Sequence, residues 1–134
     1  MAKKTNVEAN YSVSIDEASM ELNARAKIIL KDTSDAHKLD AIVGEGDDEA
    51  IVIAPVDYAI LSIHNEKADD PDYKNYLIID KDGNKYVTGS NSFWNSFINI
   101  YSEMKAEGED FEVKIYKLPS KNYNGKSFLT CSLV

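Results

Sequence analysis

The feature that most constrains the fold is a long β-forming run over residues 50–64, which a proline interrupts at position 55. The run is rich in isoleucine and valine, which favour the extended backbone of a strand. Proline donates no backbone hydrogen bond, so within a sheet it is confined to edges and bulges. We therefore predict a strongly bent strand or two strands in tandem, which is how small barrels turn their corners.

Two hairpins are predicted after this run. The strands of the first cover residues 73–80 and 85–88, and the Asp82-Gly83 pair between them is a strong turn signal. The strands of the second lie within residues 111–134, where apolar and polar side chains alternate with the period of a half-buried strand. Pro119 and the serine, asparagine and glycine residues after it are expected to form the turn.

The N-terminal third of the chain is predicted to be helical. Ser14 and Glu17 match the capping box that begins a helix, and apolar residues at helical spacing extend that helix over residues 15–31. A shorter helix is predicted over residues 34–43 and ends at a glycine. A strand over residues 26–30 is the competing interpretation.

A further helix is predicted over residues 91–106, where an aromatic stripe at helical spacing is expected to pack in the core. The chain is predicted to be one domain whose fold class is mainly β with helices (α+β). Within it, residues 1–13 form a flexible arm, residues 14–44 a helical extension, and residues 50–134 a five-stranded OB-fold-like barrel with one helix between strands 3 and 4. An α+β sandwich with the same element order is the alternative.

Charge is distributed unevenly along the chain. Residues 113–134 contain four lysines and no acid, a net of +4, whereas residues 1–112 contain all 23 acids and the other 11 bases, a net of −12. The two parts sum to the net charge of −8. This balance argues against a duplex-coating or membrane-surface protein, because the long-range field repels polyanions. It leaves binding through a local basic surface open.

The second hairpin interleaves lysines with aromatic residues, which is typical of surfaces that bind single-stranded nucleic acid. The predicted phosphate contacts are Lys114, Lys117, Lys121 and Lys126. The predicted base-stacking residues are Tyr116, Tyr123 and Phe128, with Tyr58 and Tyr76 as secondary candidates. Strand alternation places Lys114, Tyr116 and Phe128 on the face opposite Val113, Ile115 and Leu129. A solvated lysine face with ordinary strand aromatics is the alternative.

Sequence patterns that indicate catalysis are absent. The chain has no phosphate-binding glycine loop, no zinc-protease or Cys-x-x-Cys motif, and no nucleophile elbow. Nothing brings the two histidines, His37 and His64, together, and Cys131 is expected to be a small buried hydrophobe. We therefore predict no enzyme, no metal and no cofactor. Because no apolar run approaches ~18 residues and no signal peptide is recognisable, a cytoplasmic location is expected.

Two segments resemble a known family. Residues 86–94, YVTGSNSFW, and residues 121–131, KNYNGKSFLTC, together with the Asp-Gly hairpin, resemble OB-fold single-stranded DNA-binding proteins of phages and conjugative plasmids of Gram-positive bacteria. The resemblance covers roughly residues 50–134. It implies sequence-independent coating of single-stranded DNA during phage replication or conjugative transfer, in a bacterial or phage-infected host cytoplasm.

The expected partners follow from this resemblance and from the charge pattern. They are single-stranded DNA and further copies of the chain, contacted through the N-terminal segment, with weaker binding of duplex DNA or RNA left open and no membrane. One alternative function is an acidic adaptor or DNA mimic that binds a host protein through residues 45–49 and 69–72. A small hydrolase with a carboxylate site is a third interpretation.

Overall fold

A computed structural model of the chain describes residues 10–120 and 126–134. These residues form two β-sheets and three α-helices. In chain order, the strands are β1 Tyr11–Ala18, β2 His37–Lys38, β3 Ile51–Ile53, β4 Pro55–Asn65, β5 Asp72–Asp80, β6 Lys85–Thr88, β7 Val113–Pro119 and β8 Ser127–Leu133. The helices are α1 Ala24–Lys31, α2 Leu39–Ile42 and α3 Asn91–Glu107.

The run over residues 50–64 forms two strands in tandem, as predicted. Only Ala54 separates β3 from β4, yet β3 belongs to a three-stranded sheet with the order β3-β7-β8, and β4 to a five-stranded sheet with the order β1-β4-β5-β6-β2. Pro55 lies at this change of sheet, and the pairing of β4 with β5 has a bulge between Pro55 and Asp57. The proline and the bulge together direct one chain segment into both sheets.

Both predicted hairpins are present. The turn of the β5–β6 hairpin is built on Asp80, whose carboxylate accepts the backbone N–H groups of Asp82 and Asn84, each at 2.9 Å. Burial by itself raises the pKa of the Asp80 carboxyl, but hydrogen bonds from Asn84, Asp82 and Tyr86 outweigh it and hold the pKa below its usual value. Gly83 has a φ of +86°, which explains why glycine is needed in this turn.

The prediction for the N-terminal segment is wrong in part. Ser14 does not cap a helix over residues 15–31, because Tyr11–Ala18 is strand β1 and pairs antiparallel with β4. The helix begins only after Asn23, whose side-chain oxygen accepts the N–H of Ala26 at 2.8 Å. The second predicted helix is reduced to the single turn α2, preceded by strand β2.

The predicted flexible arm over residues 1–13 is also corrected at its end, because its last three residues belong to β1. Residues 1–9 lie outside the described part of the chain. The N-terminal third therefore contributes both edge strands of the five-stranded sheet, β1 and β2, as well as helices α1 and α2.

The third predicted helix is confirmed as α3. Its N-cap, Ser90, accepts the N–H of Phe93, and Gly108, at a φ of +72°, ends it. Its aromatic side chains pack in the main hydrophobic cluster. The rest of this cluster comes from the inner face of the five-stranded sheet and from the buried face of β7 and β8. Phe93 and Phe97 are fully buried there, and each contributes about 1.5–3 kcal/mol by leaving water.

A second hydrophobic cluster lies on the opposite face of the five-stranded sheet. Leu30 of α1 packs there against Ala59 and Leu61 of β4, Leu77 of β5 and Val87 of β6. Side chains of β1 contribute to the same cluster. The five-stranded sheet is therefore covered on both faces, by α3 and the three-stranded sheet on one and by α1 on the other.

The mixed α+β class with mostly strands is confirmed, but no closed barrel is found. Within residues 10–120 and 126–134, no pairing joins β6 to β8, the contact that would close the two sheets into a barrel. The free edge of β6 is instead taken by β2, in parallel. Along β8 lies α3, from which the Ser92 hydroxyl donates to the Leu129 carbonyl at 3.2 Å.

Candidate nucleic-acid interface

The outward side of the β7–β8 hairpin is the candidate binding surface. Strand pairing sets Lys114 opposite Ser132, Tyr116 opposite Thr130, and Leu118 opposite Phe128. We call these six side chains the hairpin face. The alternate residues, Val113, Ile115, Leu129 and Cys131, are buried in the main cluster. The structure therefore sets Lys114, Tyr116 and Phe128 on one side, as the alternation predicts.

Tyr116 is held in place at the middle of the hairpin face. Its hydroxyl is 2.7 Å from the Ser132 hydroxyl on the neighbouring strand, and the Lys114 ammonium lies 5.8 Å from its ring centroid. An ammonium above an aromatic ring is an attractive arrangement that orients both groups. A phenol ring fixed in this way needs little reorganisation to receive a flat ligand.

Apolar side chains extend the hairpin face on both sides of Tyr116. Phe128 keeps 38% of its surface exposed, and Leu118, its cross-strand neighbour, 41%. On the other side, Val52 of β3 is opposite Lys114 and is 53% exposed. Sequence reasoning missed Val52 and Leu118, although strand alternation alone places Leu118 beside Tyr116.

Lys117, which is also predicted as a phosphate contact, does not belong to the hairpin face. Lys117 follows Val113 and Ile115 at every second position of β7, so its side chain lies on the same side of the strand as theirs and opposite the hairpin face. Its ammonium donates to the Asp40 backbone carbonyl at 2.9 Å. Lys117 therefore ties β7 to α2.

Tyr76, predicted as a secondary stacking residue, is a core residue. It is 8% exposed, and its ring is stacked on Trp94 at a centroid distance of 4.7 Å with 10° between the planes. Its hydroxyl donates to the Asn91 side-chain oxygen at 2.6 Å. The face of the ring that is stacked on Trp94 is therefore unavailable to a base.

Tyr58, the other secondary candidate, is half-buried and packs against the core. Its ring meets Trp94 and Tyr101 edge-on, at centroid distances of 5.4 and 5.1 Å. Its hydroxyl donates to the Glu17 carboxylate. Burial, and then the Glu17 hydrogen bond, raise the pKa of Tyr58 to about 12.

The loop that joins β7 to β8 carries the remaining predicted residues. Lys121 and Tyr123 lie outside the described residues. Lys126 is exposed at the start of β8, and its carbonyl accepts the Ser120 N–H at 2.9 Å. That hydrogen bond closes the base of the loop, so Lys126 lies at the Phe128 end of the hairpin face.

The histidines are held apart in different contacts. His64 bonds through Nδ1 to Asp72 at 2.7 Å and through Nε2 to Glu66 at 2.9 Å. These two bonds, that to Asp72 first, raise the pKa of His64. The His37 ring packs 5.4 Å from that of Tyr86. Across the described ranges, no group of three or more His, Cys, Asp or Glu side chains could hold a metal ion.

The single cysteine has the environment of a packing residue. Cys131 is 6% exposed, and burial raises the pKa of its thiol to about 12. The thiolate, which is the reactive form, is therefore disfavoured near neutral pH. This agrees with the prediction of a small buried hydrophobe.

No protein-family model, curated protein or solved structure matches the chain in any of the three comparisons. The resemblance to single-stranded DNA-binding proteins therefore stays a prediction. None of the helices within residues 10–120 and 126–134 combines the length and hydropathy that a membrane crossing requires.

Proposed function

We propose that the protein binds single-stranded DNA without sequence preference and that the hairpin face is its contact surface. The observation that carries the proposal is that this one face presents Tyr116, Phe128 and Lys114, while the alternate side chains are buried. The lysines of this hairpin form a basic segment in a chain whose net charge is −8. Phe128 is exposed and Tyr116 is half-buried, and lysine beside accessible aromatic rings is the pattern expected of a surface that binds single strands.

Two kinds of contact produce affinity without sequence preference. The exposed part of the Phe128 ring and the oriented Tyr116 ring stack on bases, and every base has a face that can stack. Lys114 and Lys126 contact phosphates. The sequence prediction adds Lys121 to these phosphate contacts and Tyr123 to the stacking residues. Each phosphate contact on a single strand releases counterions and contributes roughly −0.7 to the slope of log affinity against log salt.

The proposal includes an OB-type fold. The strands pair in the order β6-β5-β4 and, beyond the bend at Ala54, β3-β7-β8, with α3 between β6 and β7. A five-stranded, partly open Greek-key barrel is compatible with this order. Loops at the end of such barrels contribute to oligonucleotide binding, and the loop that begins after Pro119 corresponds to one of them.

In such a fold the outer face of β5 and β6 is the other surface that could bind a strand, and here it is covered. OB folds often bind ligands on the outer face of their second and third strands. Here the corresponding strands are β5 and β6, and their outer residues Leu77 and Val87 are buried in the cluster beneath α1. Ligand contact is thereby displaced toward β7 and β8.

The sequence resemblance supports a role in phage replication or conjugative plasmid transfer, in a bacterial or phage-infected cytoplasm. The proposed role is coating of the strand, with no catalytic step. Bases in a duplex are stacked on each other and unavailable to the rings, and the acidic body repels the denser phosphate charge of a duplex. We therefore propose that the single strand is preferred over the duplex.

The test is fluorescence anisotropy with a labelled oligo-dT strand and a matched duplex over a salt series. We expect tighter binding of the single strand, weakening with salt. Changing Lys114→Gln and Lys126→Gln together should flatten the salt slope by about 1.4, from two contacts of 0.7. The control changes Lys38→Gln and Lys67→Gln, which remove the same charge elsewhere on the surface.

Two results would count against the proposal. Equal weakening by the control pair would mean that only net charge matters and that the hairpin face is not the site. Absence of binding at low salt would refute DNA binding and favour the acidic adaptor instead.

A further inference from the structure

Strand β1 is a long open edge of the five-stranded sheet. Within residues 10–120 and 126–134 it pairs with β4 alone, and it has eight residues, whereas β2 at the other edge has two. An edge strand presents backbone N–H and C=O groups that can pair with another strand, so proteins usually keep such edges short or interrupt them with proline or lysine. Tyr11–Ala18 contains neither residue type. The edge of β1 is therefore available for strand addition.

Hydrogen bonds on the inner side of β1 show which of its backbone groups point outward. The Asn10 carbonyl accepts the Glu66 N–H at 3.0 Å, so this carbonyl faces β4. In an antiparallel ladder every second residue faces the same neighbour, so Ser12 and Ser14 also direct their N–H and C=O groups toward β4. The groups that face away from β4 belong to the alternate residues, Tyr11, Val13 and Ile15.

A bulge ends this outward-facing row after Ile15. The register with β4 shifts between Ile15 and Glu17, which leaves Asp16 as the extra residue. Bulges and charged side chains both discourage pairing at an edge. A further strand can therefore pair with residues 11–15 and not with the rest of β1.

The polarity of the segment that can pair is symmetric about Val13. The segment reads Tyr-Ser-Val-Ser-Ile, with a large, mainly apolar side chain at each end and a serine on each side of the central valine. Val13 and Ile15 are half-buried in the second hydrophobic cluster, and Tyr11 is 53% exposed. Ser12 and Ser14 are exposed on the opposite face. Such a segment matches a reversed copy of itself at every position, which favours a second copy of the chain over an unrelated strand.

We propose that β1 pairs antiparallel with β1 of a second copy, about a two-fold axis that passes beside Val13. Val13 is then opposite Val13 of the other copy, and Tyr11 is opposite Ile15. These are the outward-facing residues, so each of them exchanges N–H···O bonds with its partner across the axis. A register centred on either serine carries one end residue beyond the segment and leaves its backbone groups unpaired. A two-fold axis is also the commonest symmetry of protein dimers.

The charges near β1 are compatible with this register. Asp16 of each copy is opposite Asn10 of the other, six positions from the other Asp16, which is about 20 Å at 3.4 Å per residue. Like charges directly opposite each other destabilise a pair of strands, and this register avoids them. Because each copy has a net charge of −8, screening by salt should strengthen the pairing.

The test follows the wild-type chain without DNA, by sedimentation equilibrium and by amide hydrogen exchange over a range of protein concentrations. The paired segment makes a small contact, so we expect a dimer with a dissociation constant in the micromolar range. Exchange of the Val13 amide should slow at least about tenfold as the dimer forms. The amides of Ser12 and Ser14 are the matched control, because they face β4 and should be protected at every concentration.

Three results would overturn the proposal. One is a chain that stays monomeric at high micromolar concentration. Another is a dimer in which the Val13 amide exchanges as fast as in the monomer. The third is protection of the Val13 amide that does not depend on concentration, which would mean that a segment of the same chain occupies the edge.

Charges introduced at the two serines test the register itself. In the proposed pair Ser12 of each copy is opposite Ser14 of the other, with the two side chains close together. Ser12→Lys with Ser14→Asp places unlike charges opposite each other twice, whereas Ser12→Asp with Ser14→Asp places like charges there. The dissociation constant of the second variant should be at least about fivefold higher than that of the first.

Asn99→Asp with Ser102→Asp is the matched control, because it adds two negative charges at exposed positions of α3. The control should dimerise like the wild type. Equal dissociation constants for the two serine variants would contradict pairing in this register, as would a control that weakens the dimer as much as the two aspartates on β1. Circular dichroism checks that each variant is folded. The outcome is independent of DNA binding, because the probe is the chain alone.

Discussion

Phe128→Leu is the substitution that isolates base stacking at the hairpin face. Phe128 is 38% exposed and its cross-strand neighbour is Leu118, so leucine preserves the contact between strands while removing the aromatic ring. Losing one stacked base costs about 1–3 kcal/mol in comparable surfaces. Since less than half of this ring is exposed, we expect the lower end, about 1 kcal/mol, or a roughly fivefold weaker affinity for oligo-dT.

The assay is competition anisotropy with unlabelled oligo-dT, accompanied by a thermal unfolding curve of each variant. Phe128→Tyr is the matched control, because it keeps the ring and should bind like the wild type. The reasoning is refuted if Phe128→Leu binds as tightly as the wild type while the fold is intact. It is equally refuted if Phe128→Tyr loses as much affinity as Phe128→Leu.

Three further predictions concern stability and are all measured by urea unfolding. Phe97→Ala should cost about 3–5 kcal/mol, because this fully buried ring packs among other aromatic rings of the core; a loss below 1 kcal/mol would contradict that packing. Asp80→Ala should cost about 2–3 kcal/mol through lost hydrogen bonds to a carboxylate. Because the folded pKa of Asp80 is lowered, its contribution to the free energy of unfolding should be present above the ordinary pKa of 3.8 and lost as the pH falls through the folded pKa. A variant that loses stability in acid as the wild type does would contradict this. For His64 the folded pKa is raised, so its contribution to the free energy of unfolding should be complete below about pH 6.5 and lost as the pH rises through the folded pKa. His64→Gln should remove that pH dependence. A variant whose stability depends on pH in the same way as that of the wild type would contradict the prediction.

Elements with strong local signals could be predicted from the sequence. Pro55 within a β-forming run is enough to require a bend, since proline cannot continue the ladder. The Asp82-Gly83 turn and the aromatic stripe of α3 likewise depend only on neighbouring residues. The confirmed elements are those whose signals lie within a few positions along the chain.

The N-terminal strand could not be predicted in the same way. Ser14 and Glu17 form a good local helix signal, but the segment pairs with β4, more than 40 positions away. In the folded chain Glu17 accepts a hydrogen bond from Tyr58, and Val13 and Ile15 pack beneath the sheet. Tertiary pairing overrides local propensity here, and one sequence gives no direct sign of it.

The sequence predicts which face of β7 carries the candidate site, but not which side chains its candidate residues contact in the folded chain. Alternation along β7 correctly puts Lys114 and Tyr116 outside, and the same alternation could have excluded Lys117 from that face. The contacts that Tyr58 and Tyr76 make with Trp94 could not be predicted from the sequence, because the Trp94 ring comes from a different element. The exposure of Ile29 on α1, at 47%, was also unpredictable, since its spacing is that of a buried helical stripe.

The measurement that tests the central claim most directly is a nuclear magnetic resonance titration of the isotope-labelled protein with oligo-dT, followed through the backbone amide resonances. The proposal predicts that the largest shift changes fall on β7 and β8, around Lys114, Tyr116 and Phe128, while amides of β1 and α1 change little. Changes centred on β5 and β6, or no changes at saturating strand, would contradict the assignment of the hairpin face as the single-strand binding surface.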